Sequence, residues 1–184
     1  MVNPPSSLLK RCLLAVLCGA IAAFAQTPGA GASETASPQH VAEPFSMEGT
    51  WAMVGAYEIR ADGTRSTNYG EHPKGLLMVD KAGRYSLQIF RPGRPRFIAG
   101  DKVRGTAEEF REAVLGSSTH TGQVLVDAPR GKLIFKIETA SFPNWEGAQQ
   151  VRDYSYKDGI LTYQVPTAAS GNGSTAYSIW RRLP

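Results

Sequence analysis

From Trp51 onward the chain alternates apolar and polar residues with period two, and turns bearing glycine, proline or aspartate break the pattern at short intervals. Successive side chains of an extended strand point to opposite faces, so this alternation predicts strands with one buried face. Trp51, Met53, Tyr57 and Ile59 are expected on one face of a first strand, which a turn at Ala61-Asp62-Gly63 ends. Further strands are expected at 75–80, 84–90, 119–127, 132–140, 149–156, 160–165 and 175–183, with Tyr85, Leu87 and Ile89 on one side of the third. Lys81-Ala82-Gly83, Pro129-Arg130-Gly131, Lys157-Asp158-Gly159 and Gly171-Asn172-Gly173 join them, all with residues that reverse a chain at little cost.

One helical signal interrupts the strands. Thr106 is placed to cap a helix and Glu109, three residues on, to complete a capping box. Phe110, Ala113 and Val114 form a narrow apolar stripe, and Gly116 suits the stop. Consecutive strands joined by tight turns pair as neighbours, and a meander of about eight leaves two open edges unless it closes. The expected fold is therefore all-β: an up-and-down antiparallel barrel of about eight strands, with one short helix between strands three and four as plug or lid. The two long connections, 60–74 and 91–104, are expected over a barrel mouth.

The first residues carry a different pattern. Lys10 and Arg11 precede an apolar run from Cys12 to Phe24, and Ala23-Phe24-Ala25 offers the small-x-small site of a signal peptidase. The run is shorter than the roughly 18–20 apolar residues of a membrane span. Residues 1–25 are thus read as a removed signal peptide, 26–46 as a flexible leader and 47–184 as the folded domain of a secreted or periplasmic protein. Cleavage would remove Cys12 and Cys18, which excludes thiol chemistry, and would lower the 20 basic residues to 18 against 16 acidic ones. That balance gives no reason to expect nucleic acid as a partner, nor stable membrane insertion after cleavage. His40, His72 and His120 are far apart, without metal-ligand spacing, and no phosphate-cradling glycine loop or nucleophile elbow occurs. No cofactor and no metal is expected.

Gly49-Thr50-Trp51, at the start of the first strand, looks like the short G-x-W signature of lipocalins. Longer segments resemble a family of small, mainly microbial lipocalin-like domain proteins. They are Pro73-Lys74-Gly75-Leu76-Leu77, Gly83-Arg84-Tyr85-Ser86-Leu87-Gln88-Ile89, Arg91-Pro92-Gly93-Arg94-Pro95-Arg96-Phe97, Gly105-Thr106-Ala107-Glu108-Glu109, and Ser141-Phe142-Pro143-Asn144-Trp145-Glu146-Gly147 with Gln150-Val151-Arg152. The resemblance implies a lipocalin-like barrel and a hydrophobic or amphipathic small-molecule ligand. It also implies that the Trp51 indole closes one barrel end beneath an arginine of the last strand, Arg181 or Arg182. The chain departs from the family in one place: Ser117-Ser118-Thr119-His120-Thr121 follows the helix where an aromatic-rich stretch is expected.

Strand parity nominates the site. His120 shares parity with Val124 and Val126, so it is either a ligand-facing proton carrier or a satisfied histidine at the rim. Arg152 shares parity with Tyr154 and Tyr156, and Tyr154 is expected beside it as a ligand contact; Arg152 either receives a ligand carboxylate or enolate, or pairs internally with Glu58 or Glu138. Arg94 and Arg96 belong either to a cationic clamp over the mouth or to a stiff Pro-Gly loop that pins the chain. Trp145, and in the same way Tyr69, is a lid aromatic or a plug. The leading function is binding of a small hydrophobic or amphipathic molecule in the lumen. The alternative is a cofactor-free isomerase or cyclase in which Arg152 stabilises negative charge and His120 moves a proton. A third possibility is a barrel that its own seven tyrosines and seven phenylalanines fill.

Overall fold

The computed structural model describes residues 45–165 and 173–184. The expected signal peptide, nearly all of the expected leader and the turn at Gly171-Asn172 lie outside the described residues. The strands are β1 (Gly49–Ile59), β2 (Arg65–Ser66), β3 (Lys74–Val79), β4 (Arg84–Phe90), β5 (Ser117–Asp127), β6 (Lys132–Ala140), β7 (Gln149–Lys157), β8 (Ile160–Val165) and β9 (Thr175–Arg182). Every neighbouring pair is antiparallel, and β1 pairs with both β3 and β9. The sheet therefore closes into an eight-stranded barrel, which leaves none of the eight with an open edge. The two-residue β2 lies beside the far end of β1, in register Glu58 with Ser66 and Ile59 with Arg65.

Local chemistry explains the hairpins. Asp80 accepts hydrogen bonds from the backbone of Ala82 and of Arg84, both at 2.8 Å, which locks the β3–β4 turn. Between β7 and β8, Asp158 and Gly159 both take positive φ (51° and 77°), the pairing that a two-residue hairpin of the right twist demands. The helix α1 (Ala107–Leu115) has the expected capping box: the Thr106 side chain accepts from the Glu109 backbone, and the Glu109 carboxylate accepts from that of Thr106. It lies between β4 and β5, not between the third and fourth strands. The 60–74 connection, expected to be a loop, contains β2, which two partners on β1 suffice to form.

The first strand departs from strict alternation. Trp51 and Met53 face inward, but the register with β9 slips between Met53 and Gly55, so that Val54 is exposed and Ala56 and Glu58 turn inside. Tyr57 and Ile59 thus lie on the opposite face from the expected one, with Tyr57 stacked on Tyr177 at 4.8 Å and Arg65 over its ring. One inserted residue is enough, because a bulge inverts the parity of everything beyond it. A second slip, between Thr121 and Gly122, leaves Glu138 exposed on β6. Gly122 is needed there: a Cβ would stand 2.0 Å from the Lys136 carbonyl oxygen.

The core fills the end of the barrel where β1 begins. Trp51, Leu77, Val79, Leu133, Leu161 and Trp180 pack inside it. The chain crosses beneath them before β1: the Trp51 indole donates to the Met47 carbonyl at 2.9 Å, and Phe45 packs against Tyr154 and Tyr156 at 4.9 and 4.7 Å. The Arg182 guanidinium stands 5.5 Å over the Trp51 ring and donates to the Glu48 carbonyl at 2.6 Å. Arg181, by alternation, points outward and is exposed, so Arg182 alone takes the closing position.

Candidate functional site: a half-filled lumen

The other half of the barrel is not filled by its own aromatics. A cavity of about 640 Å³ opens there, within the range that holds a small organic molecule. Leu87 and Ile89 (β4), Val165 (β8) and Ala176 (β9) give it apolar walls. Val114 and Leu115 of α1, Tyr69 of the β2–β3 connection, and Phe142 and Trp145 of the β6–β7 connection also line it. The helix borders the cavity through Val114 and Leu115 and buries little of its apolar stripe: Phe110, Val114 and Leu115 stay exposed.

The polar groups are few and deep. Arg152, in the middle of β7, is only 1% exposed. Its Nε and Nη2 donate to Gln150 Oε1 at 3.2 and 2.6 Å, and its guanidinium stands 4.0 Å over Phe135 and 5.1 Å from the Tyr163 ring centre. Among the described residues no carboxylate lies within ion-pairing distance of it. Neither expected internal partner neutralises it: Glu138 is turned outside, and Glu58 lines the cavity without reaching it. Burial pulls the Arg152 pKa down from its ordinary value while Tyr163 and Tyr85 act in the opposite direction, and a guanidinium keeps its charge even so. A buried, unpaired cation costs several kcal/mol, of order, in effective desolvation.

His120 projects from β5 into the same space, next to Phe135, Trp145 and Tyr85. Its Nδ1 shares a 2.7 Å hydrogen bond with the Tyr85 hydroxyl. Burial, and after it the positive charge of Arg152, depress its pKa to about 3, so the ring is neutral at physiological pH. Desolvation pushes the Tyr85, Tyr163 and Tyr69 hydroxyls upward, so all three remain protonated. Tyr163 faces Trp180, Ser178 and Arg152, but its buried oxygen makes no hydrogen bond of sound geometry. In the stretch after the helix, where the chain departs from the aromatic-rich pattern of the family it resembles, Ser117, Ser118 and His120 line the cavity and make that side polar.

The structure thus brings Arg152, His120, Trp145 and Tyr69 together around one cavity. Tyr154 faces inward on the closed side, against Phe45. Arg94 packs over the Phe90 ring at 4.7 Å and lines a separate outer groove, and Arg96 is exposed. Of that loop's arginines, Arg91 reaches the cavity, paired with Glu112 of α1. Sequence reasoning missed Glu58 as a lining residue, because the bulge at Val54 hides its parity. It also missed the Tyr85–His120 pair, which the β4–β5 register creates by setting Leu87 opposite His120. No described helix is long and apolar enough to cross a membrane. No three His, Cys, Asp or Glu side chains converge as metal ligands among the described residues.

Comparison with known proteins agrees with this architecture. The 4'-hydroxy-3'-methoxypropiophenone carrier protein of Aspergillus oryzae is 30% identical over 107 residues, which cover 54% of this chain and 96% of that protein. Residues 48–183 match the sequence model of the lipocalin-like domain, a span that takes in every strand of the barrel. The chain belongs to the lipocalin-like domain family.

Proposed function

We propose that the protein is a carrier that holds a small aromatic, partly apolar molecule in the open half of the barrel, with an acceptor oxygen of that molecule on Arg152. The observation that carries this reading is the fully buried guanidinium that lines the cavity and pairs with no carboxylate among the described residues. A ketone, enolate or phenolate oxygen would supply the guanidinium with an acceptor from the ligand, in a low-dielectric setting where such a bond is strong. The aromatic walls that Trp145, Phe142 and Tyr69 supply suit a flat ring. The name of the relative, a carrier for an aryl ketone, supports the same ligand class.

Turnover is the weaker reading. A proton shuttle needs a pKa near the working pH, and His120 sits at about 3. Export is part of the proposal and rests on the Lys10-Arg11 n-region and the apolar run after it. Mass spectrometry of the protein recovered outside the cytoplasm tests that part: an N-terminus at Gln26 supports it, and an intact Met1 in that fraction would count against it. The binding claim is tested by titrating the purified protein with propiophenone and with an apolar fluorescent dye, reading tryptophan emission and dye fluorescence. Saturable binding of the ketone, with displacement of the dye, is expected; no uptake of either compound removes the carrier assignment.

A further inference from the structure

Glu58 stands in the same cavity as Arg152, near the far end of β1. Its side chain is 92% buried by virtue of the Val54 bulge, being only 8% exposed. Its Oε2 is buried without any hydrogen-bond donor, and no cation pairs with it among the described residues. Directly across the β1–β2 ladder, the Ser66 hydroxyl is also buried and unbonded. Two orphaned oxygens at one register position, beside Thr67, Asn68 and Tyr69 on the cavity wall, form a polar patch. A carboxylate is an acceptor, and leaving it buried without a donor is costly, so the missing partner must be a donor.

We propose that Glu58, with Ser66 opposite, is the subsite for a hydroxyl group of the bound molecule, so that the cavity recognises a hydroxyl at one end and an acceptor oxygen at the other. The inference rests on the reading of the cavity as a carrier site, and it adds a second recognition point and an orientation. Glu58 and Arg152 are opposite in charge, yet no ion pair joins them; each keeps its own end of the ligand. In the reverse orientation a carbonyl oxygen would face a carboxylate and a hydroxyl would compete with guanidinium donors, an arrangement that both ends oppose. A neutral hydroxyl fits better than an ammonium, which would carry its own desolvation penalty into a cavity that already holds one cation.

The test uses two compounds that differ only in the group at issue. The full-length protein is titrated with 4'-hydroxypropiophenone and with propiophenone, and dissociation constants are read from tryptophan emission. The hydroxylated compound is expected to bind roughly tenfold tighter or better, the scale of one hydrogen bond to a charged group. In Glu58→Leu the two affinities converge, and propiophenone binds at least as well as before. Equal affinity in the unaltered protein would overturn the subsite, with the patch then holding water only, and would leave the carrier reading intact. A preference that survives in Glu58→Leu also overturns it, since the hydroxyl would then be held elsewhere. Failure of the unaltered protein to bind either compound removes both readings. If Glu58→Leu does not fold, Glu58→Gln takes its place: the preference for the hydroxylated compound is expected to shrink there, and an undiminished preference overturns the subsite.

Discussion

The Tyr85 hydroxyl and the His120 Nδ1 share a 2.7 Å hydrogen bond inside the barrel, between strands whose register sets the two residues diagonally across from each other. The bond holds an imidazole that burial keeps neutral, with a pKa of about 3 against an ordinary 6.5. Between those values the unfolded chain takes up a proton and the folded chain does not. The stability that the neutral ring contributes is therefore complete above pH 6.5 and is lost as the pH falls toward 3. Urea unfolding at pH 7.5, 6 and 5 is expected to show falling stability, with a slope approaching about 1 kcal/mol per pH unit. The slope in that window should largely disappear in His120→Gln.

Arg152 makes the opposite kind of prediction, because function and stability pull apart there. Replacing a buried, unpaired cation with an apolar chain of similar length removes a desolvation cost, so Arg152→Met is expected to be as stable as the unaltered protein or more so, by about 1 kcal/mol or more. The same change should weaken binding of an aryl ketone roughly tenfold or more, through loss of a charge-assisted hydrogen bond. Urea midpoints and the fluorescence titration measure the two effects separately. A large loss of stability in Arg152→Met would mean that its stacking on Phe135 outweighs its charge.

The closed end depends on Trp51, which is completely buried under Arg182. Trp51→Ala should cost about 3–5 kcal/mol, as a large void opens where the surrounding strands are cross-bonded and resist collapse. Arg182→Ala should cost about 1–3 kcal/mol for the lost bond to the Glu48 carbonyl and its cover over the indole. Arg181→Ala, on the outer face, should fall within about 0.5 kcal/mol of the starting value. Chemical denaturation of the three variants gives the ranking.

Trp145 is the tryptophan that lines the cavity; Trp51 and Trp180 lie in the packed half. Ligand entry is therefore expected to alter the emission of Trp145 first. Trp145→Phe should remove most of the ligand-induced change and keep measurable binding, as checked by displacement of an apolar dye. If the signal stayed at full size, the ligand would be approaching the other two indoles.

Much of this fold could be read from residue order. Period two, turn residues and one capping box located the eight long strands and the helix to within a few residues, because each of those signals is local. What failed was parity beyond a bulge. Nothing in Met53-Val54-Gly55 announces that Val54 is an extra residue, since the slip arises from the closing of β1 on β9, strands that meet only in three dimensions. Tyr57 therefore went to the wrong face, and Glu58 was considered only as a counterion. Arg152 and His120 were legible because β5 and β7 keep their alternation through those positions. Arg94 shows the converse limit: a loop carries no period, so charge alone does not tell on which side of the wall it ends.

The stopper that Phe45, Trp51 and Arg182 form at one end has a consequence for traffic. A vessel sealed at its base has a single doorway, so a passenger departs by the route it used to arrive, and a newcomer waits until the berth is vacated. Among the described residues Val114, Leu115, Phe142 and Trp145 line the cavity, and on the carrier reading their substitution is expected to change how long a passenger stays. On the carrier reading proposed above, a recipient is expected to collect the cargo at the end that the packed core leaves open.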